Sequence, residues 1–153
     1  MVFSSLFFLF FFLPLNLGIY YVCKTTAARN TVMLVFSLIF FAWGEPKYVF
    51  LLVAMAFCDW VLALRMERSR GDKRRMRLPL IAACVVNLGL LGIFKYGTFV
   101  QENFHRLIGS AKPVVSIALP IGISFYTFQL LTYVVDVYRG DTRAESKFAN
   151  VLL

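Results

Sequence analysis

The chain has 153 residues, 60% of them hydrophobic and 17% aromatic, with a mean hydropathy of +0.75. A water-soluble domain of this size would not carry so many long apolar runs, so the composition belongs to the membrane class. The formal net charge of +8 would raise nucleic-acid binding in a soluble protein, but no folded reading module accompanies the basic residues.

The first apolar segment covers residues 2–23 and carries no charge. It has no basic residue before Lys24, and Tyr21-Val22-Cys23 is no small-residue cleavage site. It therefore reads as a retained membrane helix rather than a secretion signal. Pro14 and Asn16 interrupt it, which predicts a kink. The next two segments, 27–43 and 47–64, are separated by Gly44-Glu45-Pro46. They read either as two spans or as a re-entrant hairpin, and the sequence leaves both open. Asp59 lies inside the second of them. A carboxylate at the membrane centre costs about 2.5–3.5 kcal/mol on insertion scales, so it is expected to face the bundle, be protonated or sit near the cytoplasmic boundary; structural pairing is the first reading and the lining of a substrate path the second.

Seven of the sixteen Lys and Arg then crowd into Arg65–Arg77, RMERSRGDKRRMR. A short basic loop between apolar runs marks a cytoplasmic side, and contact with anionic headgroups is compatible with it. The fourth span covers 78–97. Beyond it Val100, Phe104, Leu107 and Ile108 recur at helical spacing, opposite Gln101, Glu102, Asn103 and Arg106. This predicts a separate amphipathic helix over 99–108, lying in the outer interface.

The last span, 117–138, has a length of roughly 33 Å as a helix, slightly more than the ~30 Å hydrocarbon core. Gln129, Thr132, Asp136 and Arg139 follow at steps of three and four. They draw one polar stripe, headed by Phe125, which is expected to face protein. Asp136 and Arg139, three apart, are expected to pair on that face.

Counted by side, twelve basic residues fall at 24, 29, 65, 68, 70, 73, 74, 75, 77, 139, 143 and 147. Four fall on the other side, at 47, 95, 106 and 112. That asymmetry predicts an outside N-terminus and an inside C-terminus. The fold class is thus all-α: a polytopic bundle of four to five membrane helices, or spans plus a re-entrant hairpin, with the lipid bilayer as its surroundings.

Few residues point to chemistry. Cys23, Cys58 and Cys84 have no metal-like spacing and read as small packing residues. No metal site, phosphate loop, nucleotide fingerprint or Gly-x-Ser-x-Gly elbow is expected. His105 is the single histidine. A histidine can serve as a general base near neutral pH, but its setting in Asn103-Phe104-His105-Arg106 reads as interfacial, and no catalytic residue is assigned here.

The segment Leu119–Asp141, LPIGISFYTFQLLTYVVDVYRGD, closely resembles a signature of the membrane-bound O-acyltransferases. Within that family it is most similar to the alginate O-acetyltransferase branch. Met1–Ser5 with Phe10–Pro14, and Asn87–Tyr96, resemble further blocks of that branch in the same order. The resemblance implies the N-terminal part of a larger bundle, whose catalytic histidine lies in a later part. It implies acetyl transfer across the membrane to hydroxyls of an exported cell-envelope polysaccharide such as alginate. The donor would be acetyl-CoA or another activated acyl carrier, with no tightly bound cofactor. The partners would be the remaining C-terminal helices and a second acyltransferase of the envelope, in a bacterial inner membrane. A teichoic-acid D-alanyl transferase, or a non-catalytic transporter or scaffold segment, would also suit parts of the pattern. The basic asymmetry makes a direct prediction. A reporter active only in the cytoplasm should work when fused after Leu153 and fail when fused near Lys112; the reverse pattern refutes the orientation.

Overall fold

The computed structural model describes residues 6–44, 46–108 and 122–153, without the side chains of residues 102 and 105–108. Among the described residues six α-helices follow one another: α1 (Leu13–Val22), α2 (Thr26–Gly44), α3 (Pro46–Arg68), α4 (Lys73–Ile108), α5 (Ile123–Arg139) and α6 (Phe148–Leu152). No strand occurs among the described residues. Three helices are long and apolar enough to cross a membrane, namely α2, α3 and Lys73–Gln101 of α4. Their lengths of 19, 23 and 29 residues correspond to about 28, 34 and 43 Å at 1.5 Å per residue. The stretch 27–64 therefore forms two helices of near-spanning length.

The chain divides into two compact units, Met1–Trp60 with Glu145–Leu153, and Val61–Ala144. In the first, α1 is preceded by a π-helical turn, Phe8–Phe12. The cause is Pro14, which donates no N–H and whose ring would press on the carbonyl four residues back. The turn widens, and the Leu13 amide reaches the Phe8 carbonyl instead, a five-residue step. Phe8 and Phe12 then pack on Phe40 at ring separations of 5.1 and 5.8 Å, and Phe12 meets Phe36 edge-on at 5.3 Å. Offset and edge-on aromatic pairs of this kind hold α1 to α2 by dispersion and quadrupole complementarity. At the other end of this unit, Phe148 of α6 packs against Phe57 and Trp60. The Trp60 indole Nε1 donates to the Glu145 carbonyl at 2.8 Å.

In the second unit the core is made by Ala63 and Met66 of α3, Met76 and Ala83 of α4, and Val134 and Val137 of α5. Two alanines at this contact let the backbones approach, as helix packing in lipid favours. Around it the surface is apolar: Leu78 is 76% exposed and Val85 65%. Such side chains face lipid at no cost, because hydrocarbon is as apolar as they are.

Two expectations are corrected. No separate interfacial helix exists over 99–108; α4 runs unbroken from Lys73 to Ile108. Nothing in Lys95-Tyr96-Gly97-Thr98 stops a helix. Gly97 costs about 1 kcal/mol there but keeps its N–H. The predicted helix over 117–138 begins only at Ile123. Gly122 sits at φ +82°, a left-handed conformation that ends any α-helix arriving from upstream; residues 117–121 lie outside the described residues. The interruption expected at Pro14 is present as the π turn Phe8–Phe12, and residues 2–5 lie outside the described residues. Replacing Pro14 with Ala should restore the Phe10 carbonyl as acceptor and collapse the π turn to α. Amide exchange at position 14 would show this as new protection, while an unprotected amide would refute the proline explanation.

Candidate functional site

The candidate site is α5, and its limits are set by two glycines. At the far end Gly140 adopts φ +89°, and its amide bonds to the carbonyls of Asp136 at 3.0 Å and Val137 at 3.2 Å. The Asp141 amide also reaches the Asp136 carbonyl at 3.0 Å. Paired bonds of this type close a helix by satisfying its last carbonyls. Between the glycines, Ile123, Thr127, Leu130, Val134 and Val137 are buried. At 100° per residue these five lie within one arc, and α4 is the helix that α5 packs against.

Gln129, Thr132, Asp136 and Arg139 lie on the opposite arc. Gln129, Thr132 and Arg139 are exposed, Asp136 is half-buried, and Phe125 above them is exposed. The structure therefore brings the predicted stripe together on one face, but that face points away from α4. The Thr132 hydroxyl turns back to the Phe128 carbonyl at 2.8 Å, which lowers its polarity toward any neighbour.

The expected Asp136–Arg139 pair is not formed. The Arg139 guanidinium instead meets Asp141 at 3.5 Å, both side chains being mostly exposed. The helix ends between Asp136 and Asp141, and the turn closing it brings the Asp141 carboxylate to the guanidinium. Such an exposed pair contributes little, at most about 1 kcal/mol.

Asp59 is fully buried, as a carboxylate in an apolar helix should be, and it is engaged within the chain. The backbone of His105 lies in α4, while its side chain is outside the described set. Two buried polar residues were missed from the sequence. Asn87 is buried in α4, and its amide donates to the Ala83 carbonyl at 2.9 Å. Thr127 is fully buried, and its Oγ1 has no hydrogen-bond partner among the described residues. A polar side chain inside an apolar run was the available signal for both.

A third missed feature is a clasp at the basic end. Glu67 Oε1 accepts from Arg70 at 2.8 Å, and Glu67 Oε2 accepts from the Ala144 amide at 3.2 Å. Arg70 Nη2 donates in turn to the Gly140 carbonyl at 3.2 Å. One acid within a basic run thus ties the end of α3 to the segment leaving α5. Among the described residues no group of three or more His, Cys, Asp or Glu is placed to hold a metal ion.

No family model matches the chain, and no solved structure matches it. Curated proteins do. The chain is 41% identical over 148 residues to a probable alginate O-acetylase of Pseudomonas aeruginosa. It is 40% identical over 148 residues to one of Azotobacter vinelandii, and 31% identical over 151 residues to a peptidoglycan O-acetyltransferase of Helicobacter pylori. These matches cover 94%, 94% and 96% of this chain, but only 28%, 30% and 28% of the relatives. The chain thus spans under a third of their length.

The helix end makes a quantitative prediction. A Cβ at Gly140 would meet only Arg70 Nη2, at 3.8 Å, an ordinary contact. Gly140→Ala should therefore cost only backbone strain, about 1–2 kcal/mol. Arg139→Gln should stay within about 0.5 kcal/mol. Thermal unfolding in detergent measures both, and the opposite ranking would refute this account of the helix end.

Proposed function

We propose that this chain, similar to alginate O-acetylases along 94% of its length, belongs to the membrane-bound O-acyltransferase family and is part of an enzyme acetylating an exported glycan. The reaction transfers an acetyl group, across the membrane, to hydroxyls of a cell-envelope polysaccharide. The observation that carries this reading is similarity to O-acetylases along 94% of the chain, joined to three helices of membrane-crossing length. An alginate-like polymer is the first acceptor to test, since the relatives at 40% identity and above are described by that activity. Peptidoglycan is the second, because the Helicobacter pylori relative is described as acting on it.

Acetyl-CoA or another activated carrier would supply the acetyl group from the cytoplasmic side, and a second acyltransferase would complete transfer outside. The basic asymmetry supports an outside N-terminus and an inside C-terminus in a bacterial inner membrane. In that orientation the Asp136–Arg139 end of α5 lies at the cytoplasmic surface. The outward stripe on α5 would be covered by further helices of the enzyme, because polar groups left in lipid are costly.

The α5 stripe does not itself perform chemistry in this reading. Gln129 and Thr132 would bond across helices, worth about 0.6–2 kcal/mol each. Asp136 and Arg139 would hold the inner end of the bundle. Asp59 is a structural acid within α3.

Deleting the gene should remove ester-linked acetate from one envelope glycan, measured after mild alkaline release. The gene restored in full should return it, and so should a version carrying His105→Ala. Residues 1–153 supplied alone should not. Unchanged acetate on every envelope glycan would overturn the proposal, and loss of D-alanyl ester instead would move the enzyme to another branch.

A further inference from the structure

We propose that the start of α4 is a docking site for an anionic phospholipid, with Arg74 and Arg77 holding the headgroup phosphate and Leu78 and Ile81 lying along its acyl chains. The segment Arg65–Arg77 holds seven cations and two acids, Glu67 and Asp72. Both acids are already taken within it: Glu67 by Arg70 at 2.8 Å, and Asp72 by Arg75 at 3.2 Å. Arg65, Arg68, Lys73, Arg74 and Arg77 remain, all exposed and in no ion pair among the described residues. A net excess of five positive charges is thus concentrated where α3 ends and α4 begins.

The cations are displayed on an ordered base. Met66 and Met76, on either side of the turn, are buried in the core at 0% and 4% exposure. The turn is closed by amide bonds from Ser69 to Met66, Arg70 to Glu67 and Asp72 to Ser69, at 3.0–3.1 Å. Asp72 Oδ1 caps α4 through the amides of Arg74 at 3.0 Å and Arg75 at 3.4 Å. The first turn of α4 therefore holds its register, and its side chains are not carried on a loose loop.

Spacing then selects a lipid over a bare anion. Arg74 stands four residues before Leu78, and Arg77 four before Ile81, so each cation sits one turn from an aliphatic side chain on the same face. Leu78 is 76% and Ile81 57% exposed. Helical side chains lean toward the N-terminus, so the guanidinium groups reach away from the apolar span while their stems cover it. The result is a patch with charge at headgroup level and apolar surface one turn deeper. An anionic phospholipid has that same two-level chemistry, and each basic residue near such a surface adds attraction of similar size.

The test uses the purified full chain in neutral detergent, titrated with phosphatidylglycerol or phosphatidylcholine and read by native mass spectrometry. Detergent removes any dependence on membrane orientation. Retention of phosphatidylglycerol should exceed that of phosphatidylcholine. The Arg74→Gln/Arg77→Gln variant should lower phosphatidylglycerol retention about tenfold, with phosphatidylcholine unchanged. Leu78→Ser/Ile81→Ser should lower it too, while Arg143→Gln should not. For the unmodified chain, shortening the Debye length from ~10 to ~3 Å with salt should weaken the preference. Equal retention of the two lipids overturns the proposal. So does full displacement by inorganic phosphate, which would leave a simple anion site. Helicity by circular dichroism confirms that each variant is folded before its result is read.

Discussion

Everything in this chain depends on one constraint: inside hydrocarbon, each backbone N–H and C=O must find its partner within its own helix. That requirement explains why the described residues are helical almost throughout, and why every departure from α-helix has a visible cause. At Pro14 a missing amide is absorbed by a π turn rather than by breaking the segment. At Gly140 the last carbonyls are closed by amides of the turn itself. Once the backbone is satisfied locally, side chains decide only which faces meet. The contact between α4 and α5 uses Ala83, Val134 and Val137, small or branched residues that bring helices close without polar atoms.

The buried polar residues fit the same logic. Asn87 sends its amide to a carbonyl of its own helix, one turn back. Asp59 is enclosed completely and is engaged. Thr127, whose hydroxyl has no partner among the described residues, is the exception. A hydroxyl left in that condition costs roughly 1–3 kcal/mol, yet it sits on the face that α5 turns toward α4. The contact between these helices is therefore not purely a matter of apolar fit.

Much of this was legible in the sequence because it is written in length and hydropathy. The apolar runs 27–43 and 47–64 lie within α2 and α3, and 78–97 lies inside α4. The polar stripe of α5 was legible as a stripe, since steps of three and four fix a common face. What it faces was not legible. An inward and an outward stripe have the same spacing, and only the burial of Ile123, Leu130 and Val134 on the opposite arc tells them apart. The start of α5 was hidden for a different reason. Glycine is tolerated within a helix, and only its φ of +82° reveals that α5 starts after Gly122. The continuity of α4 was missed because amphipathic periodicity after residue 99 says that a helix is present, not that it is a new one. The clasp of Glu67 and Arg70 was hidden because Ala144 lies 77 residues from Glu67 and Gly140 lies 70 from Arg70, and both contribute backbone atoms, which carry no residue-type signal.

The two faces of α5 together bear on how such a bundle can be assembled. Its apolar face is already occupied by α4, and the helix is held at its basic end by the Arg70–Gly140 bond and by Glu67 reaching Ala144. Its polar face is left for something else. A helix with its apolar side outward could rest in lipid alone, but this one presents Gln129, Asp136 and Arg139 on the side that its neighbour leaves open. Burying that side against lipid would carry the desolvation cost of the Gln129 amide, with Asp136 and Arg139 nearer the membrane surface. Burying it against protein turns the same groups into directional contacts that fix register. The α4–α5 contact lies within residues 61–144, whereas the stripe gains only where a second polar surface meets it, so the two faces of α5 draw on different interactions, apolar fit on one and hydrogen bonding on the other.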